Sequence, residues 1–259
     1  MAGVNKNKPM FIKFLGTAGA RFVTFRQLRA SGGIWICLGD TNVLVDPGPG
    51  SIVRCLECRP KMDPEKLDAL ILTHRHLDHA NDINIMIESM TCGGSRRKGA
   101  VFCPSDCLGD HPVILPHAAR LPGRVQVIKP GCKYKAGDFA FTVSARHLHP
   151  CETYGLKFNM GKVTVGLVSD TRYFDGLADF YRTDVIILPV VFRRARQGID
   201  HMSLEDASEL IGRIRPKKAV LTHFGMDMLK ARPSYQAKRI SERLGVEVIA
   251  AHDGMKLDF

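Results

Sequence analysis

Thr73-His74-Arg75-His76-Leu77-Asp78-His79 gathers three histidines and an aspartate into six residues. The apolar run ahead of it, Leu67–Thr73, reads as a β-strand, and the run behind it, 79–90, reads as a helix. The cluster therefore falls on a strand-to-helix turn, where side chains can converge on one point. If the turn stays extended, His74 and His76 point the same way. Asp78 and His79, past the bend, face a second position. Neutral imidazoles with a carboxylate suit zinc, manganese or iron. Packing so many polar groups together is costly unless a cation or water compensates them. The cluster thus predicts a metal site. Its two facing sets predict two divalent ions, roughly 3.5–4 Å apart as in other paired sites.

Working outward, short apolar runs alternate with turn signals along all 259 residues. Strands are expected at Met10–Leu15, Ile34–Leu38, Asn42–Val45, Ala69–Thr73, Val101–Cys103, Val125–Ile128, Phe139–Ser144, Val163–Val168, Val185–Leu188, Ala219–Thr222 and Val246–Ala250. Besides 79–90, helices are expected at 203–214 and 234–244. The former opens on Ser203 with Asp206 three residues on, a capping box, and keeps Leu204, Ala207, Leu210, Ile211 and Ile214 on one face. The latter ends at Gly245. Many strands interspersed with helices indicate an α/β or α+β chain whose sheets need cover on their faces. No repeat, low-complexity tract or long linker divides the chain, so residues 1–259 are read as one domain.

Further motifs follow in order: Asn42-Val43-Leu44-Val45-Asp46-Pro47-Gly48, His149-Pro150-Cys151-Glu152-Thr153-Tyr154-Gly155, Val168-Ser169-Asp170-Thr171, Leu221-Thr222-His223-Phe224 and Asp253-Gly254-Met255. Together with His74-x-His76-x-Asp78-His79 they resemble the metallo-β-lactamase superfamily across nearly the whole chain. The resemblance implies an α+β fold, a four-layer αββα sandwich. It implies that His74, His76 and His149 hold one metal, that Asp78, His79 and His223 hold the other, and that Asp170 bridges them. Zinc is the expected metal, with manganese or iron fitting the same donors. Register with Gly155 assigns the third-motif ligand to His149 and leaves His147, on the same face, to orient a ligand or touch substrate.

The segment Asp200-His201-Met202-Ser203 ahead of a helix, and the opening Phe14-Leu15-Gly16-Thr17-Ala18-Gly19, resemble the phosphodiesterase branch of that superfamily. This branch holds the tRNA 3′-processing endonucleases (RNase Z) and the cyclic phosphodiesterases of phosphonate breakdown. The resemblance implies attack on phosphorus by a metal-bound hydroxide, with His201 protonating the leaving oxygen and Asp78 both ligating and orienting. Arg193, Arg194 and Arg196 just upstream are candidate phosphate clamps, against the plainer reading of a solvated basic loop. RNase Z's long basic insertion and the cysteine cluster of the phosphonate enzymes are both absent. The substrate stays open between a phosphodiester small molecule and a nucleic acid.

Composition narrows the remaining classes. Lys and Arg outnumber Asp and Glu 37 to 26, a formal charge of +11 that favours an anionic partner. With one Trp and five Tyr, base-stacking platforms are scarce. No apolar stretch reaches the roughly 18 residues of a membrane span, and the start MAGVNKNKPMFIKFLG has no signal-like apolar core, so a cytoplasmic protein without membrane association is expected. Eight cysteines are then reduced thiols. The pairs Cys55/Cys58 and Cys103/Cys107 are read either as buried side chains or as a structural zinc site. In region 92–124, a loop or short helices over the site mouth are expected, with His111 and His117 as weaker substrate contacts. Two other functions remain: a hydrolase of the same fold acting on a lactone, β-lactam or thioester, and a basic nucleic-acid-binding protein without turnover. Assembly as a homodimer stays open.

Overall fold

Along β1 (Met10–Phe14) successive side chains fall on opposite faces: Ile12 and Phe14 enter one apolar core, Phe11 another. The same alternation runs through β2 (Ile34–Leu38), β3 (Thr41–Val45), β4 (Ala69–Ile71) and β5 (Ala100–Cys103). Ile36, Val43, Ile71 and Phe102 face the first core, while Trp35, Leu44, Leu70 and Val101 face the second. A sheet apolar on both faces must be covered on both.

The computed structural model describes residues 8–259. The expectation of no secretory signal rests partly on residues 1–7, which lie outside the described residues. After β6 (Arg124–Val127) come β7 (Lys133–Ala136), β8 (Phe139–Val143), β9 (Leu156–Met160), β10 (Val163–Leu167), β11 (Val185–Pro189), β12 (Lys218–Thr222), β13 (Glu247–Ala250) and β14 (Lys256–Asp258). They make two seven-stranded sheets, ordered β14-β1-β2-β3-β4-β5-β6 and β13-β12-β11-β10-β9-β8-β7. Each joins an antiparallel part to a parallel part, β3 to β6 in one sheet and β10 to β13 in the other.

The helices are α1 (Ala20–Phe25), α2 (Ser51–Glu57), α3 (Leu77–Ala80), α4 (Ile83–Met90), α5 (Leu177–Phe180), α6 (Leu204–Ile214), α7 (Met226–Lys230) and α8 (Pro233–Leu244). Phe141, Phe158, Val165 and Val220 of the second sheet share the first core with β1 to β5, so the sheets pack face to face. Cys55 of α2 and Ile83, Met86 and Ile87 of α4 cover the outer face of one sheet. Leu210 and Ile211 of α6 and Ala237 and Ile240 of α8 cover the other, over Ile186 and Leu188. The result is the expected αββα order, with three apolar cores between four layers.

All eleven expected strands form, within a residue or two of their expected ends. Three more were not expected. β7 carries two lysines and sits at a sheet edge, as does the half-exposed β14. β9 alternates cleanly and joins β10 through a two-residue turn at Gly161-Lys162. The capping box of α6 is present: Asp206 N–H donates to Ser203 Oγ at 3.2 Å, and Ser203 N–H donates to Asp206 Oδ2 at 2.9 Å. The helix expected over 79–90 is split into α3 and α4. The cause is Asp82, whose N–H leaves the helical ladder to donate to the Pro47 carbonyl at 2.9 Å, while its carboxylate accepts from Ile52 N–H at 3.2 Å. Among the described residues, no helix is long and apolar enough to cross a membrane.

Candidate metal centre

Sites in sheets of this kind form where parallel strands end at their carboxyl termini. The 74–79 turn leaves β4 there, Asp170 follows β10, His201 follows β11 and His223 follows β12. Thr73 is clasped by Asp46, its N–H donating to Oδ1 and its hydroxyl to Oδ2, each at 2.7 Å. Asp46 takes a positive φ of 53°, which is tolerable for aspartate. Having given its proton to Asp46, Thr73 Oγ1 is the acceptor for His74 Nδ1 at 3.1 Å. His79 Nδ1 faces Asp46 Oδ2 at 2.9 Å, and His149 Nδ1 faces the Asp200 carbonyl at 2.9 Å. In each of these three rings an acceptor claims Nδ1–H, which leaves the Nε2 lone pair for the site.

The rings and carboxylates then close on two points. His74, His76 and His149 stand mutually edge-on with centroids 4.8–5.1 Å apart, and His149 Nε2 lies 3.0 Å from His76 Nδ1. On the other side, Nε2 of His79 lies 3.7 Å from Asp78 Oδ2 and 3.6 Å from Asp170 Oδ2. Nε2 of His223 lies 3.6 Å from Asp78 Oδ2 and 3.4 Å from Asp170 Oδ1. His74 Nε2 is 3.9 Å from Asp170 Oδ2, which places that carboxylate between the two sets. His74 Nε2, His79 Nε2, His223 Nε2 and Asp170 Oδ1 are buried without a hydrogen-bond partner. Leaving such atoms unpaired is expensive. Their spacings are too long for good hydrogen bonds. They resemble edges of a coordination polyhedron, where ligands about 2.0–2.1 Å from one ion sit roughly 3.3 Å apart. The donors present fit divalent cations.

The electrostatics agree. Burial opposes charge on Asp170, yet His223, His201 and His79 hold its carboxyl well below the usual carboxylate range. Burial also opposes charge on His79, but Asp78, Asp46 and Asp170 outweigh it and raise its pKa well above an ordinary histidine's. Those carboxylates call for a positive charge, which a cation supplies by displacing the proton. Burial keeps His74 and His76 neutral, the form that ligates.

His223 takes a φ of 56°, a left-handed conformation rare in non-glycine residues and common at functional sites. Glycine is required opposite it: a Cβ on Gly19 would lie 2.1 Å from the His223 carbonyl oxygen. His147, the alternative to His149, turns away from the donor groups. Its Nε2 bonds the Tyr181 hydroxyl at 2.9 Å, its Nδ1 lies 3.3 Å from the Asp170 carbonyl, and burial pushes its pKa down to about 4. Gly155 exists for the same packing, since a Cβ there would lie 1.7 Å from the Tyr181 hydroxyl.

His201 joins the site from the loop before α6. Two backbone bonds hold that loop, from Val191 N–H to the Met202 carbonyl at 3.2 Å and from Leu204 N–H to the Phe192 carbonyl at 2.8 Å. Its Nδ1 lies 3.4 Å from Asp170 Oδ2, buried and without a partner. Its ring stands 5.2 Å from that of His149 and 6.3 Å from that of Phe192. Burial lowers its pKa, against the pull of Asp170.

All eight expected site residues thus meet in one place, while several weaker candidates do not. Arg193, Arg194 and Arg196 are exposed: Arg194 lies 3.9 Å from Glu205, and Arg196 stacks 4.3 Å over the Phe192 ring. His111 and His117 are exposed. Region 92–124 forms a loop with short 3-10 turns at 105–107 and 118–120; Cys107, Ile114 and Ala118 pack into the outer core beside α4, while the His111 carbonyl accepts from Arg75 of the 74–79 turn and Ser105 N–H donates to Glu152 of the His149 loop at 2.9 Å. The cysteine pairs do the same. Cys55, Cys103 and Cys107 are buried in that core, and neither pair belongs to a metal-competent group among the described residues. Sequence reasoning missed the anchoring work of Asp46, although its motif had been singled out. It also missed Cys151, whose sulfur lies within 4.8 Å of the ligand atoms of His74, His76 and His149. Its spacing of two residues from His149 was the available signal. Burial raises the Cys151 thiol above its usual range.

Comparison with known proteins follows the same lines. Residues 41–224 match the beta-lactamase superfamily domain. The Methanocaldococcus jannaschii protein MJ1374 is 31% identical over 258 residues, covering 95% of this chain and 94% of its own. The crystal structure of the metallo-beta-lactamase fold protein YhfI from Bacillus subtilis superposes with a TM-score of 0.82 at 22% identity, covering 97% of this chain and 100% of that one. A diphosphatase from the PhnP family superposes with a TM-score of 0.69 at 17% identity, covering 96% and 98%.

Proposed function

The chain belongs to the metallo-β-lactamase superfamily, and on that premise we propose that it is a binuclear metal-dependent phosphodiesterase, one domain over residues 1–259, with His201 as general acid. His74, His76 and His149 would hold one cation, Asp78, His79 and His223 the other, with Asp170 shared between them. When bound, such a pair brings the pKa of water toward neutrality and shields the charge of phosphoryl oxygens. Zinc suits the imidazole-rich set.

The chain's own side chains do the rest. Asp78 faces both His79 and His223 and accepts a hydrogen bond from the attacking water, which aims it at phosphorus. His201 donates a proton to the leaving oxygen as the bond to phosphorus breaks. One observation carries this role: His201 Nδ1 is buried, unpaired and 3.4 Å from Asp170 Oδ2, yet His201 belongs to neither donor set. Burial favours its neutral form, and the negative charge of a bound phosphodiester favours the protonated form it needs.

The formal charge of +11 supports an anionic substrate, whether a phosphodiester small molecule or a nucleic acid. The PhnP-family neighbour is a diphosphatase. All eight cysteines are free thiols, in keeping with a cytoplasmic setting.

The test is hydrolysis of bis-p-nitrophenyl phosphate by the zinc-loaded protein and by chelated protein, beside a panel of lactones and thioesters. Chelator-sensitive phosphodiester turnover supports the reading. Two bound cations with turnover only on the lactone or thioester panel would replace it with a carbonyl hydrolase of the same fold.

A further inference from the structure

The loop that carries His149 carries a second donor. Between His147 and Cys151 burial alternates, with 147 and 149 inside and 148 and 150 exposed, and Cys151 falls on the inner side of that alternation, half-buried. The loop is closed by His147 N–H donating to the Thr153 carbonyl at 2.9 Å, so its inner face is held at fixed register. Thr153 Oγ1 gives its proton to the Cys151 carbonyl at 3.2 Å. The same hydroxyl lies 3.6 Å from Cys151 Sγ.

That sulfur belongs to a group with three imidazoles. Sγ of Cys151 lies within 4.8 Å of the ligand nitrogens of His74, His76 and His149. The second observation is His74, which is fully buried with an Nε2 that has no partner. Three imidazoles set edge-on to one another leave room for a further donor in that group.

We propose that Cys151 is a further protein donor to a cation held by His74, His76 and His149, adding one sulfur to three imidazole nitrogens beside the shared Asp170 carboxylate. This rests on the reading of those three histidines as ligands. Binding releases the thiol proton to solvent and forms one sulfur–metal bond, with no change of oxidation state. A thiolate beside three imidazoles favours zinc or cobalt over magnesium, calcium or manganese, which prefer oxygen. The opposite pole, with Asp78, His79, Asp170 and His223, has no sulfur in its group, so the two positions differ in softness.

The experiment is titration of chelator-stripped protein with cobalt(II) alone, followed by absorption. The proposal expects visible d–d bands together with a near-ultraviolet sulfur-to-cobalt charge-transfer band. In Cys151→Ala and Cys151→Ser the charge-transfer band should vanish while d–d bands persist, which shows that the imidazoles still bind. Affinity at that pole should fall by at least the roughly 10–100-fold seen when a ligand loses its supporting partner. Mass-spectrometric mapping should show Cys151 shielded from iodoacetamide by one equivalent of cobalt in the wild type. Failure is separable from failure of the underlying reading. Absence of all d–d bands would remove the metal site itself. Visible bands without charge transfer, or charge transfer that survives in Cys151→Ala, would overturn the role of Cys151 alone.

Discussion

Nδ1 of His79 lies 2.9 Å from Oδ2 of Asp46, and the same oxygen accepts the Thr73 hydroxyl at 2.7 Å. One carboxylate therefore aims an imidazole and fixes the start of the turn that bears four expected ligands. Asp46 should matter to metal binding without touching a metal. Replacing it by alanine is expected to weaken binding at the Asp78/His79/His223 pole by about 10–100-fold. Competition with a chromogenic zinc chelator measures this. An unchanged zinc affinity in a folded Asp46→Ala protein would show that His79 needs no such support.

The pH dependence of turnover follows from His201. A general acid works only while protonated, so activity is lost as pH rises through its pKa. Burial lowers that pKa from the ordinary histidine value of about 6.5. The alkaline limb of kcat/KM, which reports the free enzyme, should accordingly fall earlier than that of kcat, which reports the complex with bound phosphate. His201→Ala should lose this limb. A full pH profile of both constants checks the order.

His147 makes a prediction about stability. Its folded pKa is lowered to about 4, while an unfolded histidine titrates near 6.5. Between those values the unfolded chain binds more protons, so stability rises with pH across the window and is lost as pH falls through it. The full difference is on the order of 3 kcal/mol. Metal-free wild type and His147→Gln, melted at pH 7.5 and pH 5, should differ in this respect. The wild type should lose more on acidification, and equal losses would contradict the assignment of a buried neutral imidazole.

Gly155→Ala tests the packing behind the site. Its Cβ would fall 1.7 Å from the Tyr181 hydroxyl and 2.7 Å from the Leu167 carbonyl oxygen. Overpacking of this kind costs about 1–3 kcal/mol or more. At this chain length each kcal/mol lowers Tm by roughly 2–4 °C. A calorimetric melt with no decrease would show that Tyr181 moves freely and that His147 is not held by it.

Much of this arrangement is legible along the chain because it is local. His74, His76, Asp78 and His79 lie within one turn, and the strands buried on both faces are continuous apolar runs such as Val43–Val45 and Val185–Leu188. The capping box at Ser203 and the left-handed Gly245 are likewise set by near neighbours. What stayed hidden depends on distant partners. The break between α3 and α4 is caused by the Pro47 carbonyl, 35 positions from the Asp82 N–H that it captures. His149 was legible from its register with Gly155, but the contacts that turn the two rings apart, His147 on Tyr181 and His149 on the Asp200 carbonyl, were not. Cys151 looked like an ordinary small thiol until folding set it beside three imidazoles. Edge strands β7 and β14 escape notice because they are only four and three residues long, too short for their alternation to stand out.

The most direct test of phosphodiester cleavage with His201 as acid compares two substrates with different leaving groups. Wild type and His201→Ala, each shown by elemental analysis to carry two cations, are assayed on bis-p-nitrophenyl phosphate and on a phosphodiester with an alkyl leaving group. Nitrophenolate needs little protonation, whereas an alkoxide needs a proton to depart. His201→Ala should lose about 10²–10⁴-fold on the alkyl ester and far less on the nitrophenyl ester. Equal losses on both, or no loss on the alkyl ester, would contradict His201 as the general acid.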